Sequence, residues 1–163
     1  MANHINEVEP SRSVRERRFS DKQFCVPARI FVAEDDDEMR LLLHDAFAYD
    51  GYEVVDLASG RELFNLLRRS IELKKEPDIV VSDIRMPGMT GLEILNRIRE
   101  LGSKMPVVLI TAFGDEETLN TASKLGATAV FNKPFDVDDL RMAVAYFVAE
   151  GLKGNARYSE QPK

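Results

Sequence analysis

The sequence lacks the marks of several protein classes. It contains no tryptophan, a single cysteine and no apolar run long enough to span a membrane. The lone Cys25 cannot form an internal disulfide, and the first residues lack the apolar core of a secretory signal. No histidine lies near Cys25, so a catalytic thiol is not expected either. We therefore expect a protein of the reducing cytoplasm with no membrane span.

An excess of positive charge is missing too. The 163 residues carry 22 lysines and arginines against 28 aspartates and glutamates, a net charge of −6. Neutralising nucleic-acid phosphates requires a clustered excess of basic residues, so we expect no direct nucleic-acid binding. The exception is a local basic run at Arg12, Arg15, Arg17 and Arg18. It is either a contact for an acidic partner or membrane surface or, as its polar surroundings favour, a solvated tail.

The length and composition indicate one domain. With 44% apolar residues, the chain can bury a substantial core. Residues 1–27 mix polar and charged types without periodicity and end at Pro27, which predicts a flexible extension. Residues 28–150 should form the domain, with a last helix that stops at Gly151. Residues 151–163 then form a flexible tail, with no output domain attached.

Short apolar runs alternate with stretches of helical period along the domain. The runs are residues 30–33, 54–57, 79–81, 107–110 and 127–131. Their β-branched content and lack of polar alternation are typical of parallel strands covered on both faces. Five strands alternating with five helices predict a doubly wound α/β fold, with helices on both faces of a parallel sheet.

Helix starts are marked by capping residues. Ser59 with Glu62, and Thr90 with Glu93, have the spacing of a capping box. Asp136 can cap the free amides of the last helix. These residues predict where three of the helices begin.

Polar side chains follow four of the five predicted strands. They are Glu34 and Asp35 after the first strand, Asp83 after the third, Thr111 after the fourth and Lys133 after the fifth. Ligands of such sheets bind beyond the carboxyl ends of the strands, so these side chains should converge. Three carboxylates in contact repel by roughly a few kcal/mol per pair at an effective dielectric near 20, so the cluster needs a cation. The cluster offers only a small number of protein oxygen ligands. This favours Mg²⁺, because Ca²⁺ usually takes more protein ligands.

The same residues suit phosphoryl transfer. A carboxylate such as Asp83 can attack phosphorus and form an aspartyl phosphate. Magnesium would cover one phosphoryl oxygen, the Lys133 ammonium a second, and the Thr111 hydroxyl could bond to a third. Taken alone, the acidic run from Glu34 to Glu38 is typical of a solvated helix start. The coincidence with Asp83, Thr111 and Lys133 favours a functional site.

Four stretches of the chain resemble the response-regulator receiver family. They are residues 31–40 (FVAEDDDEMR), 82–93 (SDIRMPGMTGLE), 107–112 (VVLITA) and 131–135 (FNKPF), and the resemblance covers about residues 28–150. It implies a stand-alone receiver domain of two-component signal transduction, with a flavodoxin-like sheet in the strand order 2-1-3-4-5. It also implies no enzyme activity beyond the protein's own phosphorylation and dephosphorylation.

The resemblance assigns roles to individual residues. The metal-binding acidic pair falls on Glu34 and Asp35, the phosphoacceptor and further metal ligand on Asp83, the metal-binding backbone carbonyl on Arg85, the hydroxyl on Thr111, the lysine on Lys133 and a cis bond on Pro134. The implied cofactor is Mg²⁺. The implied partners are a histidine kinase, a phosphotransfer protein or a small phosphodonor, and a downstream protein that binds the face of the fourth helix, fifth strand and fifth helix.

The chain departs from the family pattern behind the hydroxyl. The family's switch aromatic usually lies three positions before the lysine, where this chain has Val130, with Phe131 next. Consecutive strand residues point to opposite faces, so Phe131 should face away from Val130. We therefore expect the Thr111 movement without the coupled aromatic swing.

Three other functions fit the residues less well. An aspartate-based phosphohydrolase generally places a second acid two positions after the nucleophile, where this chain has Arg85. A nucleotide-binding domain needs a glycine-rich phosphate loop, and residues 88–91 lack its lysine and spacing. A pseudo-receiver that only binds partners would not need the complete set of site residues.

Overall fold

A computed structural model describes the backbone of residues 26–159 and the side chains of residues 26–153. The strands are β1 (Arg29–Ala33), β2 (Glu53–Leu57), β3 (Ile79–Asp83), β4 (Val107–Thr111) and β5 (Ala129–Asn132). The helices are α1 (Asp37–Tyr49), α2 (Gly60–Glu72), α3 (Gly91–Glu100), α4 (Glu116–Lys124) and α5 (Val137–Ser159). The basic run, Cys25 and most of the predicted extension lie outside the described residues, as do residues 160–163.

The five strands form one parallel sheet in the order β2-β1-β3-β4-β5. The predicted fold class and strand order are confirmed. All residues of β3 and β4 are buried, as continuous apolar runs predict, whereas the edge strand β2 is half-exposed. β5 begins two residues later than predicted, because the Ala127 amide still bonds to the Ala122 carbonyl at the end of α4.

Two apolar layers cover the sheet. On one face α1 and α5 bring side chains such as Phe47 and Leu140 onto Ile30 and Val32. On the other face α2, α3 and α4 pack on residues that include Phe31. Each fully buried large side chain contributes about 1.5–3 kcal/mol relative to an exposed one. The helices thus cover both faces of the sheet, and its central strands β1, β3 and β4 meet solvent only near their ends.

Alternation along β5 separates its two central residues. Val130 packs in the layer with α2, α3 and α4, whereas Phe131 packs in the layer with α1 and α5. The Phe131 ring makes an edge-to-face contact with Phe135, with ring centroids 6.2 Å apart. The predicted orientation of Phe131, away from Val130, is therefore confirmed.

The predicted helix caps are present, with one difference. Thr90 and Glu93 form a complete capping box. Asp136 accepts a hydrogen bond from the Asp138 amide at 2.8 Å. Ser59 accepts from the Glu62 amide, but the Glu62 carboxylate accepts from the amide of residue 58 instead of that of Ser59. The second capping box is therefore only half formed, because Glu62 reaches one residue further back.

The predicted stop of the last helix at Gly151 is wrong, since α5 continues to Ser159. A glycine inside a helix costs only about 1 kcal/mol relative to alanine, so it ends a helix only where the chain also turns. Gly151 does not adopt the left-handed conformation of a helix-ending glycine. The Lys153 ammonium bonds to the Glu150 carboxylate across it at 2.9 Å.

Within the described residues, no helix is long and apolar enough to cross a bilayer.

The continuous helix predicts a stabilising substitution. Gly151→Ala should raise the free energy of unfolding by about 0.4–1 kcal/mol, because a methyl group there meets nothing within 4 Å and restricts the unfolded chain. The matched control is Gly102→Ala, where the added methyl also meets nothing but φ is +84°. That variant should lose stability. Urea unfolding of both variants checks the prediction, and a loss in Gly151→Ala would contradict a helix through this position.

Candidate functional site

The register of the sheet brings the predicted site residues to one edge. Ala33 of β1 pairs with Ser82 of β3, so Glu34 and Asp83 follow at the same level. Thr111 ends β4 opposite Asn132 of β5, and Lys133 comes next. Because all strands run parallel, these ends meet on one side of the molecule. The convergence predicted from the sequence is confirmed.

Three carboxylates form the centre of the site. Glu34, Asp35 and Asp83 each offer an oxygen, and the three oxygens lie within 4.8 Å of one another. Glu34 and Asp83 are buried, at 1% and 6% exposure, whereas Asp35 is exposed. The remainder of the acidic run points elsewhere. The Asp37 carboxylate, for example, is mostly exposed and pairs with Arg40. The structure thus selects Glu34 and Asp35 from a run of five acids and joins them to Asp83.

The Lys133 ammonium binds two of these carboxylates. Its Nζ lies 2.9 Å from Glu34 Oε2 and 3.0 Å from Asp83 Oδ2. Burial raises the pKa of Glu34 above its usual range, although the hydrogen bond from Lys133 opposes this rise. Burial also lowers the pKa of Lys133, but its bonds to Glu34 and Asp83 outweigh this effect, and the net shift is upward. Lys133 therefore stays charged as the counter-ion of the site.

One ammonium does not balance three carboxylates. Among the described residues, Lys133 is the only basic side chain that hydrogen-bonds to the carboxylate of Glu34, Asp35 or Asp83. Negative charge therefore remains in excess at a site where two of the three acids are buried. Carboxylate oxygens with room for water are the ligands that Mg²⁺ prefers. The donor set thus fits the cation expected from the sequence.

Thr111 lies at the base of the next loop. The residue is 1% exposed, and its Oγ1 accepts a hydrogen bond from the Phe113 amide at 3.0 Å. A hydroxyl that accepts one bond still has its own proton to donate.

The Lys133–Pro134 bond is cis, as the resemblance implied. The predicted metal-binding carbonyl of Arg85 stays a prediction, while the Arg85 amide donates to Asp83 Oδ1 at 3.2 Å.

One neighbour of the site was missed in the sequence. The Arg85 guanidinium lies over the Phe113 ring, with Cζ 3.9 Å from the ring centroid. Phe113 is 56% exposed, an unusual setting for a phenylalanine. The available signal was an aromatic residue in a polar loop two positions after Thr111.

An apolar groove borders the site beside Lys133. Met39 and Leu42 of α1 form one wall, and Pro134, Phe135 and Val137 form the other. Leu42 is 47% exposed. The groove offers apolar surface next to the lysine.

Comparison with known proteins finds similarity over most of the chain. The sequence pattern of the response regulator receiver domain matches residues 30–145. The chain is 33% identical over 127 residues to sporulation initiation phosphotransferase F of Bacillus subtilis, a match that covers 78% of this chain and 97% of that protein. It is 37% identical over 116 residues to regulatory protein AtoC of Escherichia coli, covering 71% of this chain but 24% of that protein.

A solved structure is similar to this chain in fold. A receiver domain protein described as CheY-like, from Methanospirillum hungatei, superimposes with a TM-score of 0.69 at 24% identity. The superposition covers 79% of this chain and 99% of that chain. At this level of identity the similarity shows the fold alone.

Removing the Lys133 ammonium should destabilise the fold, because the buried Glu34 carboxylate then has no counter-ion. We expect Lys133→Met to lower the free energy of unfolding of the metal-free protein by about 3 kcal/mol, because Glu34 loses its counter-ion. A carboxyl with a raised folded-state pKa binds its proton more tightly when folded. Stability should therefore fall further as the pH rises through that pKa.

The control for this measurement is Lys124→Met on the exposed face of α4. It should change stability by less than about 0.5 kcal/mol. Urea unfolding at several pH values compares the two variants. Equal stabilities would show that the Lys133 bridge does not stabilise the fold.

Proposed function

Because the chain belongs to the response regulator receiver domain family of two-component systems, we propose that it carries a signal as a phosphoryl group on Asp83. The observation that carries this proposal is the convergence of Glu34, Asp35, Asp83 and Lys133 at one edge of the sheet. In the proposed cycle Asp83 is phosphorylated, a partner binds the phosphorylated form, and hydrolysis resets the domain. We propose the cytoplasm as its compartment, which the lone cysteine supports.

In the proposed reaction, an Asp83 oxygen forms a bond to the phosphorus of the donor. The bond from phosphorus to the donor's nitrogen or oxygen breaks, and its electron pair leaves with the donor. Glu34, Asp35, Asp83 and the Arg85 carbonyl would hold Mg²⁺, which neutralises the phosphoryl oxygens when bound. The Lys133 ammonium stands 3.0 Å from Asp83 Oδ2 and supplies a further positive charge. Thr111 would donate its hydroxyl proton to a phosphoryl oxygen.

The proposed phosphodonors are a histidine kinase, a phosphotransfer protein or a small acyl phosphate. A protein donor has to place its phosphohistidine beside Lys133. The groove of Met39, Leu42, Pro134, Phe135 and Val137 adjoins that position. We propose that the donor's apolar surface docks there. Beyond phosphorylation and dephosphorylation of its own aspartate, we propose no enzyme activity.

The proposed signalling surface is the face of α4, β5 and α5. The Thr111 hydroxyl that would bind the phosphoryl group belongs to the last residue of β4, directly before the loop that leads to α4. Val130 carries no ring that could move behind Thr111, and Phe131 packs on the opposite face of the sheet. The proposed signal is therefore a backbone and α4 rearrangement, which a downstream protein would recognise.

Phosphorylation of Asp83 can be tested directly. Incubation with acetyl phosphate and Mg²⁺ should add one phosphoryl group, measured as a mass increase of the intact protein. Asp83→Asn should abolish this increase, because the amide nitrogen and oxygen cannot replace the carboxylate nucleophile. The control Asp37→Asn changes an exposed acid of the run from Glu34 to Glu38 and should be labelled normally. Undiminished labelling of Asp83→Asn would refute the assignment.

Metal binding can be tested without phosphate. We expect Mg²⁺ to bind the unmodified protein, with Asp35→Asn weakening the affinity roughly tenfold or about 1.4 kcal/mol. Asp35 belongs to the carboxylate trio, whereas Asp37 pairs with Arg40 in solvent. Asp37→Asn should therefore leave the affinity nearly unchanged. Calorimetric titration of both variants decides between a specific site and general attraction to the acidic run, for which the two losses would be equal.

A further inference from the structure

Arg85 and Phe113 connect the two loops that follow Asp83 and Thr111. The Arg85 amide donates to Asp83 Oδ1 at 3.2 Å, and the Phe113 amide donates to Thr111 Oγ1 at 3.0 Å. Between them, the Arg85 guanidinium lies 3.9 Å from the centroid of the Phe113 ring. The stack therefore joins the loop after β3, which follows Asp83, to the loop after β4, which follows Thr111.

Within the part of the chain that the structure describes, the guanidinium contacts the Phe113 ring without a competing ion pair. Among the described residues, Arg85 forms no ion pair within 4.0 Å. The charge of Arg85 acts weakly on Asp115, whose pKa is lowered mainly by hydrogen bonds with Thr118 and only to a smaller extent by Arg85. Cation–π contacts at exposed sites are weak, and Phe113 is 56% exposed. A stronger anion near Asp83 would therefore draw the guanidinium away.

A phosphoryl group on Asp83 is such an anion. Arginine binds phosphate oxygens through charge-assisted hydrogen bonds, which are stronger than a cation–π contact in solvent. The Thr111 hydroxyl would also donate a hydrogen bond to the phosphoryl group. Its Oγ1, which accepts from the Phe113 amide, would then move toward Asp83. One chemical event would thus compete for the guanidinium and also move the oxygen to which the Phe113 amide donates.

We propose that Arg85 is a phosphoryl-sensing residue whose guanidinium leaves the Phe113 ring for a phosphoryl oxygen, so that the released ring reports phosphorylation at the surface. This inference rests on the proposed phosphorylation of Asp83. Phe113 then supplies the aromatic signal that Val130 cannot supply. It lies three residues before the start of α4, at the edge of the proposed signalling surface.

Phe113→Trp provides a direct probe, because the chain contains no other tryptophan. An indole also stacks well with a guanidinium, so the contact should persist. In the full chain with Mg²⁺, addition of beryllium fluoride as a phosphoryl mimic should increase the quenching of the tryptophan fluorescence by acrylamide. The added substitution Arg85→Gln should give the higher quenching from the start and abolish the response to the mimic.

A matched control places the probe elsewhere. Tyr49 is 86% exposed, and the Arg141 guanidinium lies 5.7 Å from its ring centroid. Tyr49→Trp should show no change in quenching when beryllium fluoride is added. A change of equal size there would mean that the mimic alters the fluorescence non-specifically, and it would overturn the inference.

Affinity for the mimic gives a second readout with native Phe113. Arg85→Gln should bind beryllium fluoride roughly fivefold more weakly, or by about 1 kcal/mol, because one ligand of the phosphoryl group is lost. Arg85→Lys retains the charge without the planar fork and should recover part of this loss. Equal affinities of all three proteins would contradict a phosphoryl contact by Arg85.

Amide NMR shifts of residues 111–125 separate the two proposals. If the mimic shifts these amides but leaves the quenching of the Phe113→Trp variant and the affinity of Arg85→Gln unchanged, phosphorylation of the site stands and the role of Arg85 is wrong. If the mimic shifts no amides in any variant and acetyl phosphate leaves Asp83 unlabelled, both proposals are wrong. The same spectra verify that each variant is folded.

Discussion

The site depends on the pair of hydrogen bonds from Lys133 to Glu34 and Asp83. These bonds span 99 and 50 positions of sequence, so one ammonium joins the ends of β1, β3 and β5. Glu34 is fully buried, and a buried carboxylate without a counter-ion is strongly destabilising. The charge also holds Asp83 close to Glu34 while an excess of negative charge remains. The domain is therefore built around a charge imbalance, which the proposed cation and phosphoryl group would alter.

Much of the fold and the charged site could be predicted because both follow from repeating rules. Parallel strands converge at their carboxyl ends, so the position of Asp83 and Lys133 directly after apolar runs was sufficient to place them together. The contact between Arg85 and Phe113 could not be predicted, because it depends on the path of two loops with no periodic pattern. Gly151 misled for a related reason: whether a glycine ends a helix depends on its backbone conformation, which composition does not specify.

The packing of β5 limits the ways in which a signal can leave the site. Because Val130 and Phe131 lie in different apolar layers, a movement behind Thr111 meets a small β-branched side chain and no ring. A β-branched side chain has few rotamers and little reach. The Phe113 side chain is exposed to solvent, so a movement of its loop is not restricted by core packing. The presence of Val130 at this position thus favours the proposed surface route over an internal one.

The length of α5 means that a small tilt of this helix would displace its far end by several ångströms. The helix has 23 residues and so measures about 34 Å, roughly twice the length of a five-residue strand. Its anchor in the core is formed by Leu140, Val144 and Val148, all in its first half. A tilt of about 10° around Val148, the last of these anchors, would therefore carry the backbone at Ser159 through roughly 3 Å. A change of angle that leaves the packed layers in place would become a displacement of roughly half a helical turn at the end of the helix.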